Sequence, residues 1–127
     1  MTRDLLDCVT TSLDRLIDAA DSWDGLFPSM LDRETGEMLH EAPPAIEGQR
    51  DGDRAFLGSN LMHDHPTLGL MYDLESAGAG EGYARAADLY IERFAQHCTD
   101  TVSGLFPWGE HSFWQLESDE VGSGHWP

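Results

Sequence analysis

The stretch that decides the architecture is Tyr83-Ala84-Arg85-Ala86-Ala87-Asp88-Leu89-Tyr90-Ile91-Glu92-Arg93-Phe94-Ala95-Gln96-His97-Cys98. Tyr83, Ala86, Ala87, Tyr90, Ile91, Phe94 and Cys98 recur at steps of three and four, while Arg85, Asp88, Glu92, Arg93 and Gln96 fill the gaps. That period gathers the apolar residues on one side of a helix, predicted from about Gly82 to Cys98. Upstream, Gly78-Ala79-Gly80-Glu81 is only long enough to turn the chain back. The apolar segment before it, with Leu68, Leu70, Met71 and Leu74, is therefore expected as an antiparallel neighbour. Pro66 suits a first helical position because its φ is already fixed, so this helix is placed at about 66–77 with Asp64 or His65 as its cap. Few polar residues lie along it, which predicts burial on most sides.

Further out, Leu5, Leu6, Val9, Leu13, Leu16, Ile17 and Ala20 repeat the helical period between Asp and Thr residues. This predicts a first helix at about 2–21, with Thr2 as cap and Asp4 at the positive end of the dipole. Residues 22–60 break into turns at Asp24-Gly25, Pro28, Thr35-Gly36, Pro43-Pro44 and Asp51-Gly52. Within this loop-rich insertion, Leu26–Leu31 and Glu37–His40 are spaced to pair across Thr35-Gly36 as a short β-hairpin. Long insertions of this kind usually rim a cleft or form a lid. Residues 99–127 are read as a second loop-rich region. Gly25-Leu26-Phe27-Pro28 follows the first helix and Gly104-Leu105-Phe106-Pro107 follows the third, each with an Asp four residues before its Gly. The matching placement predicts a repeated helical unit.

The 127 residues carry 24 Asp and Glu against 7 Arg and no Lys, for a net charge of −17. Such a chain repels phosphate backbones and anionic membrane surfaces, which excludes non-specific nucleic-acid binding and disfavours membrane attachment. Self-repulsion of this size is relieved by salt, so the composition fits a high-salt interior. Aromatic and aliphatic residues are spread throughout, which excludes an acidic disordered tail. Cys8 and Cys98 both fall in helical patterns and read as buried thiols; no metal-type cysteine spacing exists. Lacking a signal-type apolar core or a span-length stretch, the chain is expected to be cytoplasmic.

Two segments carry the residue types that do chemistry. The first is Asn60-Leu61-Met62-His63-Asp64-His65-Pro66; the second is Ser103-Gly104-Leu105-Phe106-Pro107-Trp108-Gly109-Glu110-His111-Ser112-Phe113-Trp114. Together with the Tyr-x-x-Ala-Ala-Asp-x-Tyr-x-x-Arg-Phe helix, they resemble the six-hairpin α/α-toroid superfamily of carbohydrate-active proteins, particularly its pectate-lyase-like and glycosidase-like members. The resemblance covers most of residues 60–127 and, more loosely, the first helix. It implies an all-α fold of helical hairpins and an activity on saccharides, as a polysaccharide lyase or a glycoside hydrolase. About twelve helices make such a toroid, at roughly 10–14 residues each, so three helices imply only its N-terminal portion. Such a piece is expected to be inactive alone and to leave an apolar face for self-association or for a missing continuation.

Flat rings beside acids and imidazoles suit a sugar, which presents one apolar face and a polar rim. Glu110, His111 and Asp64 are the candidates for proton transfer. Trp108, Trp114, His63 and His65 are the candidates for binding, with Arg50 or Arg54 available to a substrate carboxylate. Glu110 and His111 also fit a local pair that fixes the loop, and Phe106 and Phe113 fit plugs at the end of the helices. His63-Asp64-His65 cannot easily all converge on one metal ion from consecutive positions and would need a further ligand from His40, His97 or Glu110; the plainer reading is a cap with imidazoles packed at the helix mouth, so no metal and no cofactor is called for. The other class of function is a non-catalytic helical module whose exposed face docks a partner chain.

Overall fold

A computed structural model describes residues 4–44, 46–48, 55–109 and 111–123. Helix α1 spans Leu5–Ala20, with Asp4 in extended conformation at its start and no side-chain cap. Leu13 and Ala20 are buried, and Val9, Leu16 and Ile17 pack against the core. The N-terminal end of the apolar stripe is uncovered: Leu5 is 77% exposed. A short 3₁₀ turn, Asp21–Trp23, follows, and the left-handed Asp24 and Gly25 swing the chain towards the third helix.

The next helix, α2, spans Leu61–Ser76 and begins five residues earlier than Pro66 suggests. Its cap is Asn60, whose Oδ1 accepts the N–H groups of Met62 at 3.0 Å and His63 at 3.3 Å. Asp64 and His65 thus lie inside the first two turns, and Pro66 is internal to the helix. A capping Asn satisfies two orphan donors, which outweighs the single bond that proline removes. Gly78, at φ 72°, closes the helix while the N–H of Ala79 reaches back to Leu74 O at 2.9 Å. Helix α3 spans Tyr83–His97, close to its predicted bounds. Bonds from Tyr90 to Asp64, Tyr72 to Asp88, and the Ala84 N–H to Glu75 run in opposite senses along α2 and α3. The two helices are therefore antiparallel. Tyr83, Ala87, Tyr90, Phe94 and Cys98 are buried on the predicted stripe; Ile91 is not.

The fold is α+β, which corrects the all-α expectation. A three-stranded antiparallel sheet has the order β1 (Gly58–Ser59), β2 (Ser112–Gln115) and β3 (Glu120–Ser123). Ser59 pairs with Trp114, and Trp114 with Val121. Residues 112–123 are thus a hairpin where a loop was expected. Asp119, at φ 54°, supplies its left-handed turn residue. Phe113 lies over two glycines: a Cβ at Gly58 would fall 2.2 Å from its ring, and one at Gly122 would fall 2.6 Å away. Trp114, the next residue, points to the opposite face and joins the core.

The Gly-Leu-Phe-Pro echo is not a structural repeat. Leu26 and Phe27 are fully buried, with the Phe27 ring 4.9 Å from that of Tyr90. In the second copy Leu105 is 72% exposed and Phe106 45%. With a sheet in place of further helical hairpins, the toroid architecture is withdrawn. The pairing expected across Thr35-Gly36 is present as one bridge, Leu31 with Met38, and a bond from the Asp32 N–H to Glu37 O at 2.8 Å.

Candidate functional site at the start of helix α2

Ala55 and Leu57 both adopt left-handed backbone, at φ 44° and 57°, immediately before β1. For residues with a Cβ this costs about 1–2 kcal/mol each. The strained approach delivers Ser59 and Asn60, both fully buried, to the mouth of α2. While Asn60 Oδ1 caps the helix, its Nδ2 donates to Gly109 O at 3.0 Å and to Ser112 O at 3.4 Å. One side chain therefore clamps the 109–112 loop onto the first turn of α2. The two chemistry-bearing segments, some fifty residues apart in the chain, share this junction.

Asp64 sits one turn into α2, half-buried. Its Oδ2 accepts the Tyr90 hydroxyl at 2.8 Å and the Ser59 hydroxyl at 3.3 Å, and those two hydroxyls are themselves 3.0 Å apart. Burial pushes the Asp64 carboxyl up to about 6, although the Tyr90 and Ser59 hydroxyls, the Asn60 backbone and the charge of His63 all pull it down. Desolvation outweighs all of these together. Tyr90 is pushed upward too, by burial and by the Asp64 charge, so it remains a hydroxyl donor. The result is a carboxyl whose protonation changes near neutral pH, at the edge of the core.

Around it, His63 and His65 are exposed on the first turns of α2, and His111 is half-buried within the clamped loop. Trp108 is 55% exposed and belongs to a chain of rings reaching in from the surface. Trp108 meets Phe106 edge-on at 6.2 Å, and Phe106 meets Phe94 edge-on at 5.8 Å. Phe94 in turn stacks on Tyr90 at 6.3 Å. Phe106 thus packs, half-exposed, where the start of α2 meets the end of α3, whereas Phe113 is a sheet residue.

Trp114 is placed elsewhere. Only 4% exposed, it donates its indole N–H to Asp119 Oδ1 at 2.9 Å. Asp119 also bonds His97 at 2.8 Å and meets Arg93 at 3.4 Å, and these partners hold its carboxyl below the usual range despite some burial. This cluster ties the sheet to α3, so Trp114 is structural. Glu110, Arg50 and Arg54 lie outside the described residues. Cys98 is a buried thiol pushed up to about 12 by desolvation, whereas Cys8 is exposed, contrary to the expectation of burial. Among the described residues no group of three or more His, Cys, Asp or Glu is placed to hold a metal ion, and no helix is long and apolar enough to cross a membrane.

Sequence reasoning missed Ser59, Asn60 and Tyr90 as parts of this site. Asn60 had a usable signal: an Asn directly before an apolar helical run is a strong cap. Tyr90 had none, because its position on the apolar stripe hides the hydroxyl's role. Comparison with protein-family models, with curated proteins and with solved structures finds no match to this chain.

Proposed function

We propose that the chain binds saccharide at the mouth of α2, with Asp64 as the proton-transferring group. What supports the reading most is the Asn60 clamp, which joins the Trp108–His111 loop to the turn bearing His63, Asp64 and His65. An exposed indole next in the chain to the clamped Gly109, with imidazoles and a carboxyl on the turn it is clamped to, offers groups for the apolar face and hydroxyl rim of a sugar ring. A carboxyl near 6 holds or releases a proton at neutral pH, as general acid or base chemistry on a glycosidic linkage requires. Both elimination from a uronide and hydrolysis use such a group.

The test is calorimetric titration with neutral and uronic-acid oligosaccharides, with chain cleavage followed in parallel. Binding that weakens about tenfold or more in Trp108→Ala, and cleavage that disappears in Asp64→Asn while binding persists, are the expected results. Absence of saccharide binding to the intact chain refutes the reading.

A second reading, a helical module that docks a partner chain, is favoured by a different observation. An almost wholly apolar groove of about 220 Å³ is lined by Leu61, Ile91, Phe94, Ala95, Thr99 and Phe106. Val102 and Leu105 are also strongly exposed. Under this reading, sugars leave the melting temperature unchanged while the oligomeric state rises with concentration.

A further inference from the structure

The apolar groove beside the start of α2 has a defined shape. Ile91, Ala95 and Thr99 stand four residues apart, along α3 and just past its end, and Leu61, Phe94 and Phe106 complete the lining. Residues at that spacing form the row against which the side chains of a second helix pack. Ala95, the smallest of the three, leaves a notch in the row. The volume, about 220 Å³, falls below the roughly 300–1,000 Å³ of pockets that enclose a small molecule. It suits one or two apolar side chains carried on a larger surface. The Thr99 hydroxyl is already donated to Ala95 O at 2.8 Å, so no lining side chain has a free donor to offer.

Between two of the lining residues, Thr99 and Phe106, the chain makes a turn bonded to itself. The Thr101 hydroxyl donates to Leu105 O at 2.6 Å, the Gly104 N–H to Thr101 O at 2.9 Å and the Leu105 N–H to Ser103 Oγ at 3.3 Å. This turn carries Val102 and Leu105, both strongly exposed. Two apolar side chains on a turn already ordered need little further ordering when a partner covers them.

The charges beside this face have one sign. Asp88 and Glu92 share the exposed side of α3 with Ile91 and Ala95, at three- and four-residue steps, and Asp100 follows Thr99. The Tyr72 hydroxyl donates to Asp88 at 2.6 Å and the Gln96 amide to Glu92 at 3.0 Å, and neither cancels a charge. Of the two arginines on α3, Arg93 is drawn to Asp24 and Asp119 at 3.4 Å each, and Arg85 stands more than a turn before Ile91. A second copy would bring the same acidic rim and a further charge of −17 against this one. An anionic lipid surface is repelled in the same way. An apolar stripe flanked by Lys or Arg satisfies groove and rim together.

We infer that the groove formed by Leu61, Ile91, Ala95 and Phe106 docks a cationic amphipathic helix of a partner protein. The helix sets its apolar side chains into the notch at Ala95 and its Lys or Arg residues against Asp88, Glu92 and Asp100. The inference rests on the docking reading above, whose occupant it names, and makes no use of saccharide binding at Asp64. The experiment is titration of the ¹⁵N-labelled chain, in about 0.15 M salt, with a helical peptide of Leu and Lys that carries Leu at positions i, i+3, i+4 and i+7. The comparison probes are the same residues in scrambled order, and the helical peptide with Glu in place of every Lys.

Amide shifts centred on residues 91–106, with the Leu/Lys helix binding about tenfold more tightly than either comparison peptide, support the inference. Ala95→Glu separates docking from bulk attraction. Filling the notch should weaken binding about tenfold, whereas the added carboxylate can only strengthen a purely electrostatic attraction to Lys. Ala95 is exposed, so this variant should keep the parent's helical circular dichroism; Phe106→Ala, in the loop, should weaken binding as well. Equal binding of the scrambled peptide, or tighter binding to Ala95→Glu, overturns the groove. Equal binding of the Glu peptide overturns the requirement for positive charge. Self-association through residues 91–106 without peptide binding overturns the cationic occupant and leaves the docking reading standing, whereas a monomer that binds none of the peptides overturns both.

Discussion

Replacing Asp64 with Asn should stabilise the protein, and only above a definite pH. In the folded chain the carboxyl ionises near 6, against 3.8 for the free side chain. Below about pH 4 both folded and unfolded forms carry the proton, and the group imposes no penalty. As pH rises from there, the unfolded chain ionises first and the folded state loses ground until the folded carboxyl also ionises near pH 6. The shift of about two units corresponds to roughly 3 kcal/mol, fully expressed above pH 7. An amide keeps an oxygen for the Tyr90 and Ser59 hydroxyls but cannot ionise, so Asp64→Asn removes most of that penalty. In a domain of this size, roughly 3 kcal/mol is about 10 °C in melting temperature. Thermal unfolding of both forms from pH 4 to pH 8 checks it. The curves should nearly coincide at the acid end and diverge through pH 5 and 6. A variant less stable than the parent at pH 8 would refute the argument, because the carboxylate would then be contributing stability.

Three further outcomes follow from the same geometry. Asn60→Ala removes the cap of α2 and both bonds to the 109–112 loop; it should lower stability by about 2 kcal/mol and raise amide exchange at residues 109–112 far more than in α1. Gly58→Ala places a methyl group inside the Phe113 ring position, so chemical denaturation should show a loss of at least about 2 kcal/mol, partly restored when Phe113 is also made smaller. Molar potassium chloride should raise the melting temperature of a chain of charge −17, and a flat or falling curve would exclude self-repulsion as its main electrostatic liability.

The helices were legible because their signal is local. Tyr83, Ala87, Tyr90, Phe94 and Cys98 announce a face at helical spacing, and burial follows it. The sheet was not, because its pairing is long-range and its strands are short. Gly58 and Ser59 make a two-residue strand with no periodicity of their own, and its partner, Trp114, lies more than fifty residues away. Phe113, read as a plug, and Trp114, read as a binding residue, are instead separated by the alternation of a strand, one over two glycines and the other into the core. The misplaced start of α2 has a similar cause: Pro66 is a strong local punctuator, but Asn60 has two donors to satisfy and a loop to hold. The echoed Gly-Leu-Phe-Pro shows that identical local sequence takes its burial from what stands opposite it. Only the first copy has Tyr90 to pack against.

Much of what is energetically unfavourable in the described residues falls within ten positions of the sequence. Ala55 and Leu57 are left-handed, and Asp64 is a carboxyl held where ionisation is costly. A sequence selected only for stability would lose these features cheaply, since glycine at 55 and 57 and an amide at 64 would each relieve the cost. Strain that persists in one place needs a compensating use, and backbone strain and perturbed carboxyls characteristically gather where a protein binds or reacts. The Asp119 cluster is the contrasting case. There the carboxyl is shifted downward by Trp114, His97 and Arg93 against its desolvation, and the cluster joins sheet to helix. The two carboxyls thus separate by the sign of their shift: Asp119 is stabilised as an ion by its partners, whereas Asp64 is destabilised as an ion by its burial.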